Sequence, residues 1–97
     1  MTDDAADLVG PTVSALDYLA QLADRSGRGA AAGRLGHTAG RVFSETTSPA
    51  DALAGLSTQA LIPPAIRDVL SGGPAGVAER ADALINADPY GANLDRR

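Results

Sequence analysis

The chain has 97 residues and no cysteine, a length typical of one domain. The missing cysteine excludes disulfides, thiolate nucleophiles and most structural zinc sites. Eight basic residues stand against twelve acidic ones, for a net charge of −4. This balance argues against binding to nucleic acid or to an anionic membrane, and no segment reaches the roughly 20 apolar residues of a membrane span.

The core is predicted to be thin, because the chain has one Phe, two Tyr and no Trp. Alanine, leucine and valine must therefore do most of the filling, and each alanine buries little apolar area. We expect a modest margin of stability over chain entropy, or support from a partner.

Residues 1–10 are predicted to form an acidic lead-in, which lacks the positive charge that begins a secretory signal. We therefore expect a cytoplasmic protein without direct membrane insertion. Pro11 and Thr12 are predicted to open helix one, whose apolar residues recur at three- and four-residue spacing as far as Ala23. This helix is expected to end near Asp24.

Helix two is predicted to run from about Ala30 to Glu45. Its core stripe comprises Ala31, Leu35, Ala39, Val42 and Phe43. A second stripe consists of glycines, namely Gly29, Gly33, Gly36 and Gly40.

The interior glycines of helix two require an explanation, because each lowers helix stability by about 1 kcal/mol relative to alanine. One interpretation is a close helix crossing, within the protein or at a dimer interface, where missing side chains let backbones approach. The other is a poorly formed helix, or one that breaks near Gly36. If the crossing exists, a homodimer interface is its expected place in so thin a core.

Arg34 and Arg41 are seven residues apart in helix two, with His37 between them, so all three share one face. They are either a docking face for an acidic protein surface or an ordinary solvated face. The predicted interaction residues are therefore Gly33, Gly36, Gly40, Arg34, His37 and Arg41.

Three shorter helices follow, and proline opens each of them. Ser48 is predicted to cap helix three, with Pro49 at its first position and Asp51 in its first turn. Pro64 is predicted to open helix four and Pro74 to open helix five. Glycines end helix four before Pro74. The predicted fold is thus an all-α bundle of about five helices. Its helical domain spans residues 11–86, followed by a flexible tail over 87–97.

No pattern in the chain indicates catalysis, a cofactor or a metal. His37 is the sole histidine, and no second ligand is spaced to complete a metal site. The serines lack a nucleophile-elbow context, and the glycine pairs do not match a phosphate-binding loop. We expect a protein that is not an enzyme.

The second half of the chain combines several motifs, carried by Ser48, Ala52 and Leu53, residues 62–64, Gly72 and Gly76, and Leu84 and Ile85. They form a Ser…Ala-Leu segment, a proline entry to the next helix, paired glycines, and a last helix with spaced apolar residues. In these features the chain resembles the cytoplasmic helical domain of the type II secretion F-protein family, the platform proteins of type II secretion systems and type IV pili. It departs from that pattern at Thr46, Pro49 and Gly73, where the family has glycine, leucine and glutamate.

The resemblance implies a non-catalytic assembly module that binds proteins, as an excised or stand-alone copy of the helical unit. The alternative is a small regulatory or adaptor protein, antitoxin-like or phage-encoded, that acts by binding one protein partner.

Overall fold

A computed structural model of the chain describes residues 4–95, and for residues 4–7 it describes the backbone alone. Within that range the structure has five α-helices and no strand, which confirms the all-α bundle. In chain order the helices are α1 (Asp4–Arg25), α2 (Gly29–Phe43), α3 (Pro49–Ser57), α4 (Pro64–Ser71) and α5 (Val77–Ala87).

The two long helices form an antiparallel hairpin, because only a three-residue turn separates them. Gly27 adopts a φ of 83° in this turn, which glycine tolerates without steric cost. The N–H of Arg28 donates to the carbonyl of Ala23 at 2.8 Å and so closes the end of α1. The facing sides of the hairpin are buried, at Leu16, Leu19, Leu22 and Ala23 on α1 and at Ala31, Leu35, Ala39 and Val42 on α2.

The three shorter helices pack on the hairpin, with α4 between α3 and α5 and with α1 contacting both α3 and α5. The Oγ of Ser48 accepts a hydrogen bond from the N–H of Asp51 at 3.2 Å, which confirms the predicted cap of α3. The core is aliphatic, as expected from the composition, and the three shorter helices contribute Leu53, Leu56, Ile66, Leu70 and Val77 among others.

Two helix starts differ from their predicted positions. α1 begins at Asp4, and Pro11 lies inside it. The proline removes one backbone hydrogen bond, but Val9 packs against the core and favours continuation of the helix. α5 begins at Val77 rather than Pro74, because residues 74–76 form a turn in which Gly76 has a φ of 76°. Residues 1–3 of the expected lead-in lie outside the described residues.

Residues 88–95, here called the C-terminal strap, pack on the bundle, so the prediction of a flexible tail is wrong for them. Leu94 is 0% exposed, and its carbonyl accepts the N–H of Ala65 at 2.9 Å, near the start of α4. Asp95 pairs with Arg28 at 2.6 Å on the hairpin turn. The sequence showed Leu94 only as an isolated apolar residue, which has no periodicity to mark it as core.

Phe43 is 75% exposed, so its predicted place in the core stripe is also wrong. Val42 takes the buried position at this end of α2, and the next residue is turned away from it by about 100°. Among the described residues, no helix combines the length and the apolar character needed to span a membrane.

Candidate interaction surface on α2

The outward half of α2 carries all six residues that the sequence singled out. Five of them are exposed and Gly36 is half-buried. Gly33, Gly36 and Gly40 fall within about 60° of one another around the helix axis, given 3.6 residues per turn. Arg34, His37 and Arg41 occupy a neighbouring arc of similar width. The structure therefore brings the predicted residues together as two adjacent stripes on one surface.

The glycine stripe is open along its whole length. Apart from α2 itself, no atom of the described residues lies within 4 Å of the position that a β-carbon would take at Gly33, Gly36 or Gly40. None of the five described helices therefore needs these glycines for close approach, and the predicted crossing does not occur among them. The helix is also continuous from Gly29 to Phe43, so the predicted alternative of a break near Gly36 is wrong.

The three basic side chains of α2 are free of carboxylate partners within residues 4–95. The Nε of Arg41 donates to the Oγ1 of Thr47 at 3.1 Å, which is a neutral acceptor in the following loop. Arg34 and His37 make neither a hydrogen bond nor an ion pair within that range. Because α2 contains no Asp or Glu, its outward half is a cationic surface on an acidic protein.

The other two arginines in the first half of the chain, Arg25 and Arg28, stabilise the fold instead. Arg28 donates to the carbonyls of Ser26 and Gly91 and pairs with Asp95. Arg25 donates to the carbonyl of Pro89 at 3.2 Å. Both side chains hold the C-terminal strap, in contrast to Arg34 and Arg41 on α2.

Every aromatic side chain of the described residues is exposed, which the sequence did not predict. Phe43 lies at the C-terminal end of the outward half of α2, Tyr18 on α1 is 52% exposed, and Tyr90 in the strap is 78% exposed. Aromatic residues are enriched at the energetic centres of protein interfaces. Phe43 thus adds an apolar contact to the end of the glycine stripe.

The polar clusters away from α2 are occupied by structural hydrogen bonds. Arg80 on α5 donates from Nε to the carbonyl of Val69 at 2.9 Å and from its two Nη atoms to the carbonyls of Ala75 and Gly73. The carboxylate of Asp88 accepts the N–H groups of Ala92 and Asn93 at 2.9 and 2.8 Å. Within the part of the chain that the structure describes, no group of three His, Cys, Asp or Glu side chains is placed to hold a metal ion.

Comparison with known proteins adds no relative from which a function might be transferred. No family model, curated protein or solved structure matches the chain. The outward half of α2 is therefore the feature on which a functional argument can be built.

Proposed function

We propose that the chain is a non-catalytic protein-interaction module that binds through the outward half of α2. The observation that carries this proposal is the open glycine stripe. Three interior glycines weaken α2 by about 1 kcal/mol each relative to alanine, and no contact among residues 4–95 uses their small size. A contact with another protein molecule gives them a reason, since missing β-carbons let a second backbone come close.

The basic residues beside the glycine stripe (Arg34, His37 and Arg41) and the exposed Phe43 support the same assignment. Protein interfaces combine an apolar anchor with charged residues at the rim. On α2, Phe43 and the arginines Arg34 and Arg41 lie on opposite sides of the glycine stripe, given 3.6 residues per turn. The rest of the described surface offers two further exposed aromatics, Tyr18 and Tyr90, but neither lies on α2.

Two biological settings fit such a module. The first is an assembly domain of the platform type that the sequence resembles, acting in the cytoplasm. The second is a small regulatory or adaptor protein that binds one protein partner. Genes for a secretion ATPase and pilins beside this gene would favour the first setting. A lone short reading frame beside a toxin or phage cassette would favour the second.

The proposal is tested by blocking the stripe without harming the fold. Gly36→Leu and Gly40→Leu place bulk on the outward half of α2, and Gly55→Leu is the matched control. Gly55 is a helical glycine of α3 that is exposed and equally open, so leucine there adds the same helix propensity without touching α2.

A photo-reactive amino acid at position 37 would report the contact in cells of the source organism, with position 82 on α5 as the control location. We expect a discrete cross-linked product from position 37, lost in the Gly36→Leu and Gly40→Leu variants and retained in Gly55→Leu. Circular dichroism should show all three variants folded. Equal cross-linking from both positions, or a product insensitive to the α2 variants, would reject the proposal.

A further inference from the structure

We infer that the occupant of the outward half of α2 is a second copy of this chain, which contributes its α1. This inference rests on the proposed function, because it names the partner of the same surface. It follows from a match between two charge pairs, one on each helix of the hairpin.

The acidic pair is Asp17 and Asp24 on α1. Both are exposed, and neither side chain has a hydrogen-bond or ion-pair partner in the described part of the chain. They are seven residues apart, so they lie on the same side of α1 about 10 Å from each other. No basic residue lies between them, and the guanidinium of Arg25 is engaged with the C-terminal strap.

The basic pair on α2 has the same spacing. Arg34 and Arg41 are also seven residues apart and exposed, with His37 between them. When α1 of one copy lies antiparallel on α2 of another, Asp17 meets Arg41 and Asp24 meets Arg34 at the same time. One register thus satisfies both ion pairs, and the adjacent glycine stripe admits the approaching helix.

Neither pair finds its counterpart within the part of the chain that the structure describes. The hairpin holds α1 and α2 side by side, yet within residues 4–95 no ion pair joins Asp17 or Asp24 to Arg34 or Arg41. Two acidic and two basic side chains with the same seven-residue spacing therefore remain exposed on the surface without a carboxylate or guanidinium partner within residues 4–95.

A contact of α2 with α2 is disfavoured by the same charges. An antiparallel crossing centred near His37 would place Arg34 of each copy beside Arg41 of the other, and like charges oppose association. Pairing α1 of one copy with α2 of the other instead brings opposite charges together, which favours association. If each copy gives both helices, the contact is made twice and closes as a twofold dimer.

Charge reversal tests this directly. Asp17→Arg with Asp24→Arg makes both surfaces basic, whereas Arg34→Glu with Arg41→Glu makes both acidic. We expect the wild type to self-associate in sedimentation velocity and each double variant alone to lose association. An equimolar mixture of the two variants should associate at least about tenfold more tightly than either alone, because four exposed ion pairs are restored. High salt should weaken the mixed complex.

The control is Asp82→Arg, which reverses an exposed charge on α5 and should leave self-association unchanged. Thermal melts of every variant would show whether a lost association reflects a lost fold. A mixture that associates no better than its components would overturn the inference. A monomeric wild type that still gives the position-37 cross-link to another protein would overturn the second copy as occupant and leave the proposed function standing. A monomeric wild type that also gives no cross-link from position 37 would reject both the proposed function and the second copy as its partner.

Discussion

Among single residues, Thr12 carries a buried polar group that the fold leaves unused. Its side chain is 0% exposed, and its Oγ1 has no hydrogen-bond partner among the described residues. Replacing the hydroxyl by a methyl group of similar size should therefore stabilise the protein by about 1–2 kcal/mol, since a buried unsatisfied group costs about 1–3 kcal/mol. We expect Thr12→Val to raise the midpoint of thermal unfolding. Thr12→Ala should raise it less or lower it, because it also leaves a cavity. A lower midpoint in Thr12→Val would mean that the hydroxyl is paired.

A pair of glycine substitutions tests the open surface at the same scale. Gly36→Ala should stabilise the dilute monomer by up to about 1 kcal/mol, because its β-carbon meets no other helix and alanine favours the helix. Gly91→Ala should destabilise it, since φ is +69° there and a β-carbon would lie 2.6 Å from the Cβ of Ser26. Chemical denaturation of both variants gives the two signs. Destabilisation by Gly36→Ala at low protein concentration would show that the stripe is packed within the chain.

Residue-level expectations succeeded where a local rule decides the outcome. The Ser48 cap follows from side-chain chemistry within one turn, and the structure confirms it. Phe43 failed because its apolar character gave no information on which side of the last helical turn meets α1. The burial of Thr12 could not be predicted either, because a threonine at a predicted helix start is expected to cap the helix.

At the scale of elements, Arg80 connects the end of α4 to α5. Its guanidinium binds carbonyls of Val69, Gly73 and Ala75, which include one near the C-terminal end of α4 that has no helical partner. Arg80→Met keeps the apolar stem and removes the donors. We expect a loss of about 2 kcal/mol in the free energy of unfolding, because hydrogen bonds to charged groups contribute more than neutral ones. Arg80→Lys should recover only part of this loss, since an ammonium group lacks the planar fork of donors. Equal stability of Arg80→Met and wild type in urea would contradict the role.

Helix order and helix type were predictable from proline, glycine and apolar spacing, whereas two helix starts were not. Proline signals a helix start in both α3 and α4, but in α1 the same residue lies inside the helix. The difference is tertiary, because Val9 has a core to pack against and so extends α1 past Pro11. Near α5, Gly76 rather than Pro74 marks the boundary, since its left-handed backbone forms the turn before the helix.

At the scale of the whole molecule, the C-terminal strap joins parts of the fold that are distant in sequence. It links the hairpin turn through Arg28 and the start of α4 through Ala65, with Leu94 buried between them. Leu94→Ala should therefore destabilise the protein by about 3 kcal/mol, as for other buried leucines. Leu61→Ala is the control, because Leu61 is a large apolar residue that is 45% exposed. Thermal unfolding of the two variants should differ clearly, and equal midpoints would mean that the strap is not anchored by Leu94.

The candidate surface was visible in the sequence as a set of residues but not as a surface. The spacing of Gly33, Gly36 and Gly40 and of Arg34, His37 and Arg41 places them on α2 from helix geometry alone. Whether the glycines meet another helix of the chain depends on tertiary packing, which the sequence left open. Nothing in the sequence was a reason to select Asp17 and Asp24. The structure shows both exposed and without a partner among the described residues, like the basic residues of α2.

Contact between α1 of one copy and α2 of another is tested most directly by a dilution series of the wild type, followed by backbone amide NMR. We expect chemical shifts that change with protein concentration at Gly33, Gly36 and Gly40 on α2 and at Asp17 and Asp24 on α1, while amides of α4 stay constant. Spectra that do not change with concentration, or changes centred on the exposed aromatic Tyr90, would contradict the proposed contact.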